Sequence, residues 1–339
     1  MKKFLIYFTL IFILAVISAA LYGNFIINQK IDKTQPLKIN IPKGSGIAKV
    51  VEILNKEGIA EPAKYYVLYL KYLTYIKKQY IQAGVYLFPE NLTTQELLDA
   101  MFKGEYLYVA KVTFPEGIGY QHFASLLKHK ILVDSVEFVR LAQSDSLLKS
   151  HSIPTKNVDG YLLPDTYEFY MESSASEIID KLLNHHKKMY DRILSQSSNS
   201  KNFTKHEVLT LASIVEAETP EDDERVRVAG LYINRLDKGM LLQADPTVAY
   251  FLNGKKRILY SDLKINNPYN TYINAGLPPG PINNPGSKSI RAALNHENHD
   301  YYYMVTVGDG TRRHNFSKTY TEHQRYVAEF RKRVSQIKK

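Results

Sequence analysis

Ile41-Pro42-Lys43-Gly44-Ser45-Gly46 (IPKGSG) returns further along the chain as Phe114-Pro115-Glu116-Gly117-Ile118-Gly119 (FPEGIG). Both copies read as the end of a strand, a Pro/Gly turn and then a helix with apolar residues at helical spacing. The echo runs on into those helices, where Ile53 and Leu54 match Leu126 and Leu127, and Ile59 matches Leu132. A chain that repeats strand, turn and helix builds βα units, so the expected class is α+β. Between the copies, Tyr80–Phe88 alternates as a strand does. Thr93–Met101 reads as a helix, with Thr93 and Glu96 spaced as a capping box.

Upstream of the first copy the texture is different. After Lys2 and Lys3 no charged residue occurs until Lys30, and Phe4–Tyr22 (FLIYFTLIFILAVISAALY) is almost wholly apolar. At ~1.5 Å per residue this run comes close to the ~30 Å hydrocarbon core of a bilayer. The expectation is a transmembrane anchor over 4–27, with 1–3 as a cytoplasmic tail and the two lysines setting an N-in orientation. A cleaved signal peptide competes, because Ser18-Ala19-Ala20 loosely fits a cleavage site. The run exceeds the ~7–15 apolar residues of a signal sequence, which favours a retained anchor. A polar stretch, Asn28–Pro36, then links to the folded part. On either reading the rest of the chain faces the outside of the cytoplasmic (inner) membrane, and nucleic acid drops out as a partner.

The 339 residues, 45% hydrophobic and 23% charged, exclude disorder over most of the length and leave room for two modest domains. Lys and Arg total 44 against 34 acids, a net charge of +10 that suits an anionic partner. Cysteine is absent, which removes disulfides, thiolate metal sites and a Cys nucleophile. Tryptophan is absent too, so stacking on a ligand falls to Tyr and Phe.

Downstream of the second copy, Gly160–Tyr167 (GYLLPDTY) is an aromatic-rich turn and Ala175–Leu194 a helix, followed by a polar loop, Ser195–Asn202. Thr204 and Glu207 form a second capping box, opening a helix to about Thr219. Pro220 and the acids after it suit the start of another helix, which carries Val226, Ala229, Ile233 and Leu236 and stops at Gly239. The tail reads as a hairpin, Tyr301–Val307 and His314–Phe316 about the turn Gly308-Asp309-Gly310, and then a basic helix.

Three places carry candidate chemistry. Asn267–Gly286 (NPYNTYINAGLPPGPINNPG) has five Pro, three Gly and five Asn and no regular period. That density argues for a rigid, hydrogen-bonding loop. Gln243 and Asp245 lie two apart in an expected extended segment and so point the same way, as a sugar-binding or acid-orienting pair would; a simple Asp-Pro turn is the plainer alternative. Glu216 and Glu218 end the helix LASIVEAET (211–219). Apolar surroundings and the negative end of the helix dipole both raise a carboxyl pKa there, as a general acid requires. The helical wheel leaves the choice between the two open. Metal chemistry is poorly served: the ten His include no HExxH, and His185-His186 reads as a solvated pair on a polar helical face. No Gly-rich phosphate loop and no GxSxG elbow is present.

Taken together, Leu211–Thr219 (LASIVEAET), Val228–Gly239 (VAGLYINRLDKG), Leu242–Val248 (LQADPTV), Tyr269–Ile282 (YNTYINAGLPPGPI) and Gly308–Phe316 resemble the MltG/YceG-like family of endolytic murein transglycosylases. The resemblance covers nearly the whole chain. It implies a small LysM-like α+β region over 37–104 and a larger α+β YceG-like catalytic domain over 108–337. It further implies cofactor-free cleavage of the β-1,4 bond between N-acetylmuramic acid and N-acetylglucosamine in nascent peptidoglycan, leaving 1,6-anhydro ends. The family's catalytic glutamate falls on Glu218, with Glu216 the runner-up. Gln243, Asp245, Tyr269, Asn270, Thr271 and Tyr272 are then expected to line the glycan cleft. Glycan strands are the implied substrate and peptidoglycan synthases implied partners. Two rival readings stand beside it: a hydrolytic muramidase, and a non-catalytic glycan-binding adaptor for the synthases.

Overall fold

The computed structural model describes residues 2–31, 35–171, 173–197, 201–255 and 257–337. Met1 of the expected tail, and parts of the expected link (28–36) and polar loop (195–202), lie outside the described residues. The chain is α+β and divides into two compact units, Met1–Ala110 with Glu168–Ser173, and Lys111–Tyr167 with Ser174–Lys339.

The first unit begins with α1 (Lys2–Ile27), whose side chains from Ile6 to Tyr22 are all exposed. Only at its end do Ile26 and Ile27 enter a core. An exposed apolar helix of this length fits a single-pass membrane anchor. The core is built by β1 (Leu37–Ile41), α2 (Ile47–Lys56), α3 (Ala63–Lys71) continued by a π-helical turn (Tyr72–Ile76), β2 (Gly84–Phe88) and α4 (Thr94–Lys103). β1 and β2 pair antiparallel, Leu37 opposite Phe88 and Ile41 opposite Gly84. Alternate β1 residues, Leu37, Ile39 and Ile41, face inward onto Leu54, Leu70, Leu97 and Met101. The strand expected over 80–88 starts only at Gly84, because its partner runs out at Ile41. Thr93 and Glu96 do form the reciprocal capping box on α4.

β3 (Val109–Thr113) pairs with β4 (Thr166–Tyr170), and between them in sequence the second unit carries α5 (Tyr120–Ile131), α6 (Ser135–Ala142) and α7 (Asp145–Ser150). After β4 come α8 (Ala175–Ser195), α9 (Lys205–Glu218), α10 (Asp222–Asp237), α11 (Asp245–Phe251) and α12 (Ser287–Leu294). The hairpin β5 (Tyr303–Thr306) and β6 (His314–Ser317) and the helix α13 (Tyr320–Ile337) close the chain. The two sequence copies have matching backbones. Gly44 and Gly117 both turn at positive φ (+81° and +77°), and Gly46 and Gly119 both precede a helix in the extended conformation.

α9 is the centre of this unit. Thr204 and Glu207 cap its start, and every residue from Val208 to Val215 is buried, which requires protein on all sides. α10, α11 and α12 supply that cover. The expectation of a solvated His185-His186 pair is half corrected: His185 is exposed, but His186 is buried beside Tyr161 and Tyr190. An adjacent pair on a helix is ~100° apart, so one member turns inward.

Candidate active site

α9 ends at Glu218 because Thr219 is extended (φ −138°) and Pro220 follows. The chain turns back there into α10, which lays Tyr232 and Arg235 beside the end of α9. The Tyr232 hydroxyl donates to Glu218 Oε1 at 2.7 Å. Both residues line a pocket of about 210 Å³ with Leu231, Arg235, Gln243, Asp245, Tyr272, His314 and the β5 residues Met304, Val305 and Thr306. Burial holds the Glu218 carboxyl above the ordinary carboxylate range, and Asp245 pushes the same way. The Tyr232 hydrogen bond, His314 and Arg235 oppose that shift. Burial also pushes the Tyr232 and Tyr272 hydroxyls up, so both remain donors.

The other pocket residues are fixed by the polar groups around them. Gln243 sits in the left-handed region at φ +49°, unusual outside glycine. Its N–H donates to the Thr271 carbonyl (3.1 Å), and the next N–H, of Ala244, to Thr271 Oγ1 (3.0 Å). Tyr272 donates its hydroxyl to Asp245 Oδ1 at 2.6 Å. Arg235 bonds the carbonyls of Leu242 and Tyr302, each at 2.6 Å, and so ties α10 to both rims. His314 is held by Glu224, which accepts from its backbone N–H at 3.0 Å and meets Nδ1 at 2.9 Å. A carboxylate on Nδ1 fixes the ring and its tautomer.

Glu216 lies elsewhere. Its side chain is 6% exposed, with Oε1 2.9 Å from Arg225 Nη1 and Oε2 accepting from Gly286 N–H at 3.0 Å. Asp222, at 3.3 Å, shares the same guanidinium. The carboxylate is held by a full charge and a backbone donor, outside the pocket.

A model of the YceG-like family matches residues 39–329. The chain belongs to the YceG-like family. A Bacillus subtilis (strain 168) relative named endolytic murein transglycosylase is 31% identical over 324 residues, covering 91% of this chain and 88% of that one. A Streptococcus pneumoniae relative (serotype 2, strain D39) of the same name is 29% identical over 371 residues, covering 97% of this chain but 65% of its own length. Among solved structures, a yceG-like protein from Listeria monocytogenes aligns with a TM-score of 0.58 at 30% identity, over 86% of this chain and 99% of that one.

Within this YceG-like chain, the residues singled out from sequence divide by what they touch. Glu218, Gln243, Asp245 and Tyr272 come together at the pocket. Gln243 and Asp245 meet there without the expected extended backbone, since Gln243 is left-handed and Asp245 already opens α11. Tyr269, Asn270 and Thr271 are not brought to it. Asn270 and Thr271 are buried; Asn270 braces the carbonyls of Leu263 and Ile265, and Thr271 staples the 243–244 segment. Tyr269 packs on Tyr250, ring centroids 4.9 Å apart. The 267–286 loop has no regular structure and is tied by its amides, as its composition suggests. Asn284 alone bonds Gly160, Leu162, Ile118 and Asp159. Sequence reasoning missed Tyr232, Arg235, His314 and Glu224. The first two stand three apart in VAGLYINRLDKG on one helix face, a signal that was present; the Glu224–His314 pair is long-range and had none.

Proposed function

We propose that this chain is an endolytic murein transglycosylase, a lytic enzyme that cuts peptidoglycan glycan strands, with Glu218 as its acid and then its base. The carrying observation is a carboxyl at a helix end, raised by burial, held by the Tyr232 hydroxyl and opening on a polar pocket. Protonated Glu218 gives its proton to the glycosidic oxygen as the bond from that oxygen to the muramoyl C1 breaks. The resulting carboxylate then takes the proton of the muramoyl C6 hydroxyl, whose oxygen closes on C1 to form the 1,6-anhydro ring. Atoms balance without water, and Glu218 returns to its starting state. Tyr232 keeps the carboxyl oriented through both transfers, while Gln243, Tyr272 and Asp245 supply hydrogen bonds to sugar hydroxyls. Arg235 offsets the negative charge left on Glu218 after the first transfer. In the same reading, α1 anchors the chain N-in at the inner membrane, residues 37–104 form a LysM-like region within 37–104/108–337 domain limits, and synthases act beside it.

A second reading is a hydrolytic muramidase, favoured by one observation: Asp245 places another carboxylate in the same pocket. The test digests uncrosslinked glycan with the full chain in detergent, since Ile26 and Ile27 belong to the first unit's core. Mass spectrometry of the product ends is expected to show species one water lighter than a reducing sugar. Reducing ends would instead establish the muramidase, and binding without cleavage the adaptor.

A further inference from the structure

The outer face of α3 and its π-helical turn breaks the usual pattern of a surface helix. Tyr66, Leu70 and Leu73 are buried, so one stripe faces the core. The opposite stripe should be polar. Instead Leu68 is 65% exposed, Tyr75 63%, Ile76 68% and, just beyond, Tyr80 66%. The charges among them are all of one sign: residues 63–80 contain Lys64, Lys71, Lys77 and Lys78 and no Asp or Glu. Lys77 lies over the Tyr72 ring at 6.0 Å.

The position of this helix is as informative as its composition. Counting ~20 residues for the hydrocarbon core from Phe4 ends near Gly23, so Tyr22 falls at the membrane–water boundary. Tyr22 packs edge-on against Tyr65, in the first turn of α3, ring centroids 5.5 Å apart. Tyr66 donates to the Ile26 carbonyl at 3.5 Å, and Ile26 and Ile27 share the core that α3 covers. α3 therefore starts at the level where α1 leaves the bilayer.

We propose that the outer face of α3 and its π-helical turn lies on the membrane that α1 crosses, with Leu68, Tyr72, Tyr75 and Ile76 at the acyl boundary and the lysines on anionic headgroups. Aromatic and aliphatic side chains flanked by lysines are what an interfacial helix needs, and each lysine adds attraction to anionic lipid. The proposal rests on reading α1 as a retained anchor. Its consequence is a first unit held against the bilayer, not swinging on a tether.

The chain has no cysteine, so single nitroxide labels are unambiguous. Leu14→Cys, Tyr75→Cys and Ile76→Cys, each in the full chain, are placed in nanodiscs of phosphatidylcholine with phosphatidylglycerol. Relaxation by oxygen, which concentrates in lipid, is compared with relaxation by a water-soluble nickel chelate. All three labels are expected to favour oxygen several-fold. Lys71→Glu/Lys77→Glu/Lys78→Glu should move the 75 and 76 labels, but not the 14 label, toward the nickel chelate. A lipid-exposed 14 label with 75 and 76 open to nickel would overturn the proposal and leave the anchor standing. Labels at 75 and 76 shielded from both reagents would overturn it in favour of a protein partner or second copy. A 14 label open to nickel would remove the anchor and the proposal together.

Discussion

Glu216 and Glu218 sit two positions apart at the end of α9, and the structure treats them as opposites. Two residues on a helix turn through roughly 200°, so the two side chains must leave on nearly opposite faces. Glu216 enters a niche where a guanidinium and a backbone N–H already meet its charge. Glu218 enters a pocket whose nearest donor is a neutral phenol, and burial raises its pKa. Glu216 has both carboxyl oxygens occupied by fixed partners, while Glu218 is poised to hold a proton and release it. Burial near the end of an apolar helix is thus not enough to make an acid; what completes the shell decides.

The largest expected effect tests the Glu218 side. Glu218→Gln keeps the shape and the contact with Tyr232 but has no proton to give, and cleavage should fall by about 10²–10⁴-fold. Thermal unfolding should be nearly unchanged. Full activity would move the acid elsewhere and dissolve the contrast.

The Glu216 side should respond in stability instead. Arg225→Met leaves the buried Glu216 without its cationic partner and should cost about 3–5 kcal/mol by urea denaturation, whereas Glu216→Leu should cost less, because Asp222 at 3.3 Å still meets the guanidinium. The double variant replaces both charges with apolar volume and should be more stable than either single one. If Glu216→Gln cut activity while leaving the urea midpoint in place, the division of labour would be wrong.

The pH profile sharpens the comparison from inside the pocket. As an acid, Glu218 must be protonated, so activity should decline as pH rises through its raised pKa. The Tyr232 hydroxyl lowers that pKa and Asp245 raises it. Tyr232→Phe should therefore move the alkaline limb to higher pH and Asp245→Asn to lower pH, whatever each does to the maximal rate. Limbs that move together would mean that Glu218 is not the titrating acid.

Much of this was legible in the sequence, for identifiable reasons. The repeated IPKGSG and FPEGIG turns, both capping boxes and the terminal hairpin depend on local chemistry, and each appears where the spacing put it. The 267–286 loop announced its rigidity through Asn and Pro. What the sequence withheld needed tertiary structure. Asn270 and Thr271 look like ligand-binding residues by type and motif, but their polar atoms are consumed by nearby backbone. His314 gains its place only because Glu224, far away in sequence, holds it. The helical wheel separated Glu216 from Glu218 without saying which side held the pocket.

The smallest effect concerns two buried groups away from the pocket, and it asks whether a raised carboxyl pKa marks an acid by itself. Asp159 is also raised by burial, to about 6, yet it is ringed by the Tyr120 N–H, Asn284 and Tyr250 and does not line the pocket. Its titration should appear in stability and not in activity. The folded state keeps a proton on Asp159 that the unfolded chain releases near pH 4. That contribution is therefore complete at low pH and is lost as pH rises through about 6. His186 runs the other way. Burial pushes it down to about 3, so the folded state stays neutral while the unfolded chain gains a proton below about 6.5, and stability falls as pH drops. Between about pH 4 and 6 the two slopes, each ~1.4 kcal/mol per pH unit, nearly cancel. Asp159→Asn should leave a stability curve that climbs with pH across this window relative to wild type, and His186→Phe one that descends. Cleavage by both variants should keep the wild-type pH profile, because a perturbed carboxyl without an open pocket beside it has no substrate to protonate.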